Sequence, residues 1–161
     1  MQDTNLLEGK SILVVDDDPD VLGSLREILD MCAIETAADY ETARELLSKN
    51  IYDAAILDIM GVGGYELLEI TTTKGIPTLM LAAHALSPDN FVKSIKRGAH
   101  AYVPKDKMSE ISSFLEDILR PQQKRSKKIG RWFNKLEPFF EEKFGTYWKE
   151  KSDPEFWKKY Y

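Results

Sequence analysis

Three aspartates and one lysine are the residues of this sequence that could do chemistry together. Asp16 and Asp17 follow the apolar run Ile12-Leu13-Val14-Val15, Asp58 closes Ala54-Ala55-Ile56-Leu57, and Lys105 follows Ala101-Tyr102-Val103-Pro104. Carboxylates brought to one spot repel one another and raise each other's pKa unless a cation sits among them. A hard divalent ion with oxygen ligands relieves the repulsion, and Mg2+ suits a site with few protein ligands and several waters. The ordinary partner of such an ion is a phosphoryl group, whose developing charge metal and lysine neutralise together. Asp58 is then the candidate nucleophile, forming an acyl phosphate.

That chemistry needs a fold that gathers the four side chains at one edge. Short apolar runs alternate with helix-like stretches over residues 1–120. The runs are Ser11–Asp16, Ile34–Ala37, Ala54–Asp58, Thr78–Ala82 and Ala101–Val103. The first, third and fourth are almost continuously apolar, as strands buried on both faces of a parallel sheet are. Between them Val21, Leu22, Leu25, Ile28 and Leu29 repeat at helical spacing behind Pro19, a residue suited to a first helical turn. Ala43, Leu46 and Leu47 make a second stripe, Leu67, Leu68 and Ile70 a third. Phe91, Val92 and Ile95 make a fourth that Gly98 ends, and Ile111, Phe114, Leu115, Ile118 and Leu119 a fifth. Five strands alternating with five helices predict an α/β fold, a five-stranded parallel sheet that is doubly wound. Such sheets place their working site at the carboxyl ends of the strands, where strand order reverses. Asp16, Asp17, Asp58 and Lys105 all fall at those ends.

Four segments now carry a resemblance: Ile12-Leu13-Val14-Val15-Asp16-Asp17-Asp18-Pro19, Leu57-Asp58, Pro77-Thr78-Leu79-Met80-Leu81 and Gly98-Ala99-His100-Ala101-Tyr102-Val103-Pro104-Lys105. In this order and spacing they closely resemble the receiver domain of two-component response regulators, over roughly residues 8–120. The resemblance implies a flavodoxin-like receiver fold and transfer of a phosphoryl group from a histidine kinase, or a phosphotransfer protein, to Asp58 with Mg2+. It implies that Asp16 and Asp17 are the acidic pair, Asp17 the more direct metal ligand and Asp16 acting largely through water. The backbone carbonyl of Met60 would complete the protein ligands, and Lys105 would pair with the phosphoryl oxygens. Tyr102 matches the aromatic whose ring reorients on activation in many members.

Two departures stand out. The family usually has Thr or Ser where this chain has Ala82, and an alanine cannot donate the hydrogen bond that links the phosphoryl group to the aromatic ring. The loop Asp58-Ile59-Met60-Gly61-Val62-Gly63-Gly64-Tyr65 is about two residues shorter than the family's and has no proline. These departures keep an alternative open, a receiver-like interaction scaffold with weakened or lost phosphorylation switching. Other polar residues have plainer readings. Asp18 precedes Pro19 and reads as a helix cap, His84 as a surface loop residue whose position the resemblance places facing the phosphoryl site, His100 as a turn residue, and Cys32 as a buried, inert thiol. As the single cysteine it cannot form an internal disulfide.

The rest of the chain differs in kind. Residues 1–120 carry 11 Lys and Arg against 21 Asp and Glu, and residues 121–161 carry 11 against 6, so the net charge of −5 divides into −10 and +5. Of the 17 aromatic residues, 11 lie after residue 120. We therefore expect a receiver domain at 1–120 and a basic, aromatic-rich helical extension at 121–161. Residues 121–131 read as a basic hinge. Beyond it Ile129, Trp132, Phe133, Leu136, Phe140, Phe144, Tyr147 and Trp148 recur at three- and four-residue steps, an amphipathic helix that Pro138 should kink or restart. Ser152-Asp153-Pro154-Glu155 reads as a capping box opening a last short helix. So small a unit cannot bury its own aromatic face. It is expected to pack on the acidic receiver, by complementary charge, or on a second copy in a homodimer. Nucleic acid is disfavoured as a partner, because effector domains that bind it need more chain. No apolar run approaches the ~20 residues of a membrane span, and the start, Met1–Asn5, lacks the layout of an export signal. The expected compartment is the cytoplasm.

Overall fold

Ile12-Leu13-Val14-Val15 offers no polar residue to turn toward water, so this strand is stable only with both faces covered. In the computed structural model, which describes residues 6–83, 87–120 and 129–160, it forms β1 (Ser11–Val15) and is buried from Ile12 onward. Helix α1 (Pro19–Ile28) follows, its first turn fixed by Pro19 and by the Asp18 carboxylate, which accepts a bond from the Asp20 amide. Then come β2 (Ala33–Ala37), α2 (Tyr40–Lys49), β3 (Ala54–Asp58), α3 (Gly64–Thr73), β4 (Thr78–Ala82), α4 (Pro88–Lys96) and β5 (Ala101–Pro104). The strands are parallel in the order β2-β1-β3-β4-β5. β3 and β4 are buried along their whole length, while β2, at an edge, alternates. The five-stranded doubly wound sheet is as the apolar runs predict.

After β5 the chain does something the spacing did not suggest. Lys105–Glu110 forms a 3-10 turn before α5 (Ile111–Leu119) begins. This turn begins with Lys105 directly at the strand end and leads into α5.

The loop from β3 to α3 owes its path to a missing side chain. A Cβ on Gly64 would lie 2.2 Å from the Asp58 carbonyl oxygen and 2.9 Å from that of Ile59. Real atoms do not approach so closely, so α3 can begin against the end of β3 only with glycine here. Gly64→Ala is therefore expected to lose about 2 kcal/mol or more, in the range of overpacked buried sites, when unfolding is followed in urea. A loss below about 0.5 kcal/mol would mean that the loop yields easily.

Three further helices pack over the α4, β5 and α5 side of the sheet: α6 (Arg131–Phe144), α7 (Trp148–Ser152) and α8 (Pro154–Tyr160). Trp132, Phe133, Leu136, Phe140, Trp148 and Phe156 are buried in one continuous cluster with Phe91, Tyr102 and Phe114. Phe91 is its hub, with ring centroids of Trp132, Phe133, Phe140, Trp148 and Trp157 5.3–5.9 Å away. The extension solves its burial problem on its own receiver.

Three expectations for this region are corrected. Of the kink or restart expected at Pro138, the restart does not occur: α6 continues through the proline to Phe144, because the buried face to either side of it fastens the helix to the core. The stripe ends instead at Gly145, whose φ of 99° suits glycine, so Tyr147 is exposed and Trp148 belongs to a new helix. The cap of α8 is Asp153, whose carboxylate accepts from the Phe156 amide at 3.2 Å, while Ser152 Oγ bonds the Lys149 carbonyl and the Trp157 indole. Charge contributes little to the docking. Lys135 pairs with Asp117 (2.9 Å), but Lys96 of the receiver pairs with Asp153 of the extension (3.2 Å), so the polarity runs both ways. Of the hinge expected at 121–131, residues 121–128 lie outside the described residues, as does His84, while Ile129 is buried and Arg131 already opens α6. Among the described residues no helix is long and apolar enough to cross a membrane.

Candidate functional site

β1 and β3 are neighbours with Val15 opposite Leu57, so the next residues, Asp16 and Asp58, emerge side by side from the sheet. This is where strand order reverses: the chain leaves β1 for β2 on one side and returns to β3 on the other. Asp16 is wholly buried and Asp58 nearly so, at 5% exposure. Asp17, one residue further, is exposed. Each of the three can offer a carboxylate oxygen such that all these oxygens lie within 4.8 Å of one another.

Lys105 reaches the same point from the end of β5. Its ammonium lies 2.8 Å from Asp16 Oδ2 and 3.3 Å from Asp58 Oδ1. The carboxylate of Asp16 is held from the other side, where Oδ1 accepts from the Asp18 amide at 2.9 Å. The loop after Asp58 closes on Asp17. A Cβ at Gly61 would sit 2.6 Å from Asp17 Oδ2, so only a glycine lets this backbone lie against the carboxylate. The intervening Met60 points its side chain to solvent, with 62% exposed.

The electrostatics of the cluster are unbalanced. Burial, then the Asp16 charge, pushes the Asp58 carboxyl up to about 6, with Lys105 pulling the other way. Burial acts against the Lys105 ammonium, yet its contacts with Asp16 and Asp58 outweigh this and hold it above its ordinary value. One lysine does not satisfy three carboxylates. Asp16 Oδ2, fully buried, rests on the Lys105 ammonium at 2.8 Å. Three carboxylates that can offer oxygens within 4.8 Å of one another, with one ammonium shared between two of them, fit a small divalent cation.

The remaining candidates fall elsewhere. Ala82 ends β4, fully buried and opposite Pro104 in the register. Tyr102 lies on β5 with its ring wholly buried, 5.1 Å from the Phe91 centroid and 6.0 Å from that of Phe140. Asp18 caps α1, away from the cluster's chemistry. Cys32 is half-buried and donates to the Leu7 carbonyl at 3.4 Å; burial and nearby Glu8 and Asp30 raise its thiol pKa, which keeps it protonated and unreactive. His100 is exposed and its Nδ1 accepts from the Thr78 amide. Sequence reasoning named Phe91 and Phe140 only as stripe residues of two helices and missed that their rings meet around Tyr102. The signal for them was the aromatic stripe after residue 128, which demanded a partner without naming one.

Comparison with known proteins agrees with this geometry. The family described as response regulator receiver domain matches residues 12–116 and stops short of α6–α8. A two-component response regulator of Arabidopsis thaliana, ARR18, is 30% identical over 128 residues, which is 75% of this chain and 20% of that protein. Response regulator MprA of Mycobacterium sp. (strain KMS) is 34% identical over 116 residues, 68% of this chain and 50% of its own. The chain thus spans half or less of the length of these relatives. Among solved structures, a response regulator receiver domain protein from Methanospirillum hungatei is 28% identical with a TM-score of 0.57, covering 68% of this chain and 95% of the other. The receiver domain of Francisella response regulator 1452 is 26% identical with a TM-score of 0.57, covering 66% and 96%. With its parallel sheet, its three gathered aspartates and its lysine, this chain belongs to the response regulator receiver family of two-component signalling.

Proposed function

We propose that Asp58 accepts a phosphoryl group from a histidine kinase or a phosphotransfer protein, in a reaction that needs Mg2+. The observation that carries this reading is the cluster itself: three carboxylates offering oxygens within 4.8 Å of one another, with Lys105 shared between two of them. A carboxylate oxygen of Asp58 attacks the phosphorus of the donor's phosphohistidine. The new P–O bond forms as the P–N bond breaks, and the electron pair returns to the donor imidazole. Asp17, Asp58 and the Met60 carbonyl would hold the cation, with Asp16 acting largely through water, and the cation would neutralise the charge spread over the phosphoryl oxygens. Lys105 moves from Asp58 to a phosphoryl oxygen and keeps that charge paired. On this reading the protein takes part in its own phosphorylation and dephosphorylation, and is not a stand-alone enzyme. It acts in the cytoplasm, where such donors are found.

In this reading residues 1–120 are the receiver and 121–161 an extension through which protein contacts are made. A homodimer built on the extension would use its outer surface, since its aromatic face is taken by the receiver. One observation favours a second reading, the interaction scaffold: with Ala82, β4 ends without a hydroxyl to report the state of Asp58. Incubation with acetyl phosphate and Mg2+, followed by intact mass, tests the first. The parent protein is expected to gain one phosphoryl group, and Asp58→Ala or omission of Mg2+ to abolish the gain. Equal labelling of parent and Asp58→Ala removes the assignment.

A further inference from the structure

The three clustered aspartates are not held alike. Lys105 pairs with Asp16 and Asp58, and Asp16 also accepts from the Asp18 amide. Asp17 is the exposed member, and the backbone of Gly61 lies against its carboxylate. A Cβ at Gly61 would sit 2.6 Å from Asp17 Oδ2, 3.1 Å from Cγ and 3.4 Å from Oδ1. It would meet the whole carboxylate, so turning that group about its own axis gives no relief. A side chain at 61 must either drive Asp17 into another rotamer or push the loop back.

The loop has little slack to give. The Ile59 amide donates to the Leu81 carbonyl at 3.2 Å, and the Gly63 carbonyl accepts from the Leu67 amide of α3 at 2.9 Å. Gly64 rests on the Asp58 carbonyl, and at Gly63 the backbone is pressed on Tyr40 of α2, whose Cδ1 lies 3.0 Å from the Cβ position. Of residues 59–64 only Met60 and Gly61 are exposed; Ile59 and Val62 are buried between their neighbours. Asp17 has water to swing into. A methyl group at 61 therefore displaces the carboxylate and leaves the loop in place.

We infer that Gly61 is a positioning residue for the cation: its bare backbone, held by the short loop, sets where the Asp17 carboxylate stands. The inference rests on the reading of this cluster as the Mg2+ site of the proposed reaction. Gly61 directly follows Met60, so one stretch of backbone both offers a carbonyl and confines a carboxylate. An exposed side chain confined beforehand loses less rotamer freedom when it takes a ligand than one that starts free in water. Gly61 thus acts on affinity for the cation through Asp17, as the outer partners of metal ligands do, and has no part in the chemistry at Asp58.

The test uses the full chain, with Mg2+ titrations followed by backbone amide NMR shifts and melting temperatures taken without Mg2+. Gly75→Ala controls for backbone strain, since Gly75 has a φ of 74° against 88° at Gly61 but nothing within 4 Å of its Cβ position. Gly61→Ala is expected to melt within a few degrees of Gly75→Ala, yet to bind Mg2+ about tenfold more weakly than the parent. Gly75→Ala should bind it as the parent does. In Asp17→Ala the methyl has nothing to displace, so adding Gly61→Ala should weaken binding less than about twofold further. Parent-like Mg2+ binding by Gly61→Ala overturns the inference. An equal loss in both backgrounds also overturns it, because the glycine then acts on the loop and not through Asp17. Unfolding of Gly61→Ala, alone or with Asp17→Ala, does the same, since the methyl then displaces the loop. Intact mass after acetyl phosphate separates the two readings: a parent that binds Mg2+ but gains no phosphoryl group removes the phosphoacceptor assignment and leaves the coupling of Gly61 to Asp17 standing. A parent that binds no Mg2+ removes both.

Discussion

Asp58→Asn is expected to be more stable than the parent at pH 7.5, by about 1–3 kcal/mol, although it loses the group on which the proposed chemistry depends. The sign follows from linkage. Burial and the Asp16 charge raise the folded-state pKa of Asp58 from 3.8 to about 6, so the folded protein holds this proton more tightly than the unfolded chain does. The stability associated with the group is complete at pH values below its unfolded pKa and is lost as pH rises through about 6. The difference of about two units corresponds to about 3 kcal/mol at most, and the amide's own burial takes back a share. For a chain of this size each kcal/mol shifts the melting temperature by about 2–4 °C. A thermal scan should therefore show Asp58→Asn melting about 2–12 °C higher at pH 7.5 and converging with the parent near pH 4. Mg2+ should close part of the gap by stabilising the parent, because it binds the folded state alone. Equal melting temperatures across this range would mean that Asp58 is solvated enough to ionise freely.

The same strain separates what the sequence could reveal from what it could not. Asp16, Asp58 and Lys105 were legible because each closes an apolar run, and parallel strands deliver their ends to one edge whatever the details of packing. The register that sets Asp16 beside Asp58 follows from β1 and β3 being neighbours. The division of labour within the cluster was legible only through the family resemblance, not from the spacing itself. Asp16 is the wholly buried member and bonds both Lys105 and the Asp18 amide, whereas Asp17 is exposed and lies against Gly61. Motif spacing cannot distinguish two adjacent aspartates, because the difference lies in which way the backbone turns after β1.

The C-terminal helices show the opposite balance. Amphipathic spacing required an apolar partner but is silent on which surface supplies it, since Phe91, Val92 and Ile95 look like an ordinary core stripe of α4. Helix boundaries there follow tertiary packing over local propensity. Pro138 is accommodated because Leu136 and Phe140 on either side are buried. Net charge misled for a physical reason: the attraction between −10 and +5 is spread over solvent-exposed groups that salt screens, while the seam is made of rings.

Those rings support the last expectation. Phe91→Ala should destabilise the protein by about 3–5 kcal/mol, the range for large-to-small changes at fully buried aromatic sites. Phe91 has no exposed surface and meets rings from both halves of the molecule: Tyr102 on β5 and Trp132, Phe133, Phe140, Trp148, Phe156 and Trp157 beyond residue 130. Its removal leaves a void that six rings of the extension and one of the sheet cannot all close at once. Phe91→Leu, which keeps most of the volume, should lose about 1–2 kcal/mol. In urea, tryptophan emission and far-ultraviolet circular dichroism should follow different transitions in Phe91→Ala. The emission, which arises wholly from α6–α8, should change at lower denaturant than the dichroism, which arises mostly from the sheet and its helices. Coincident transitions with the full loss would instead mean that the extension and the receiver unfold as one unit. A loss below about 1 kcal/mol would mean that the aromatic face does not rest on Phe91, and the extension would then have to find its burial elsewhere.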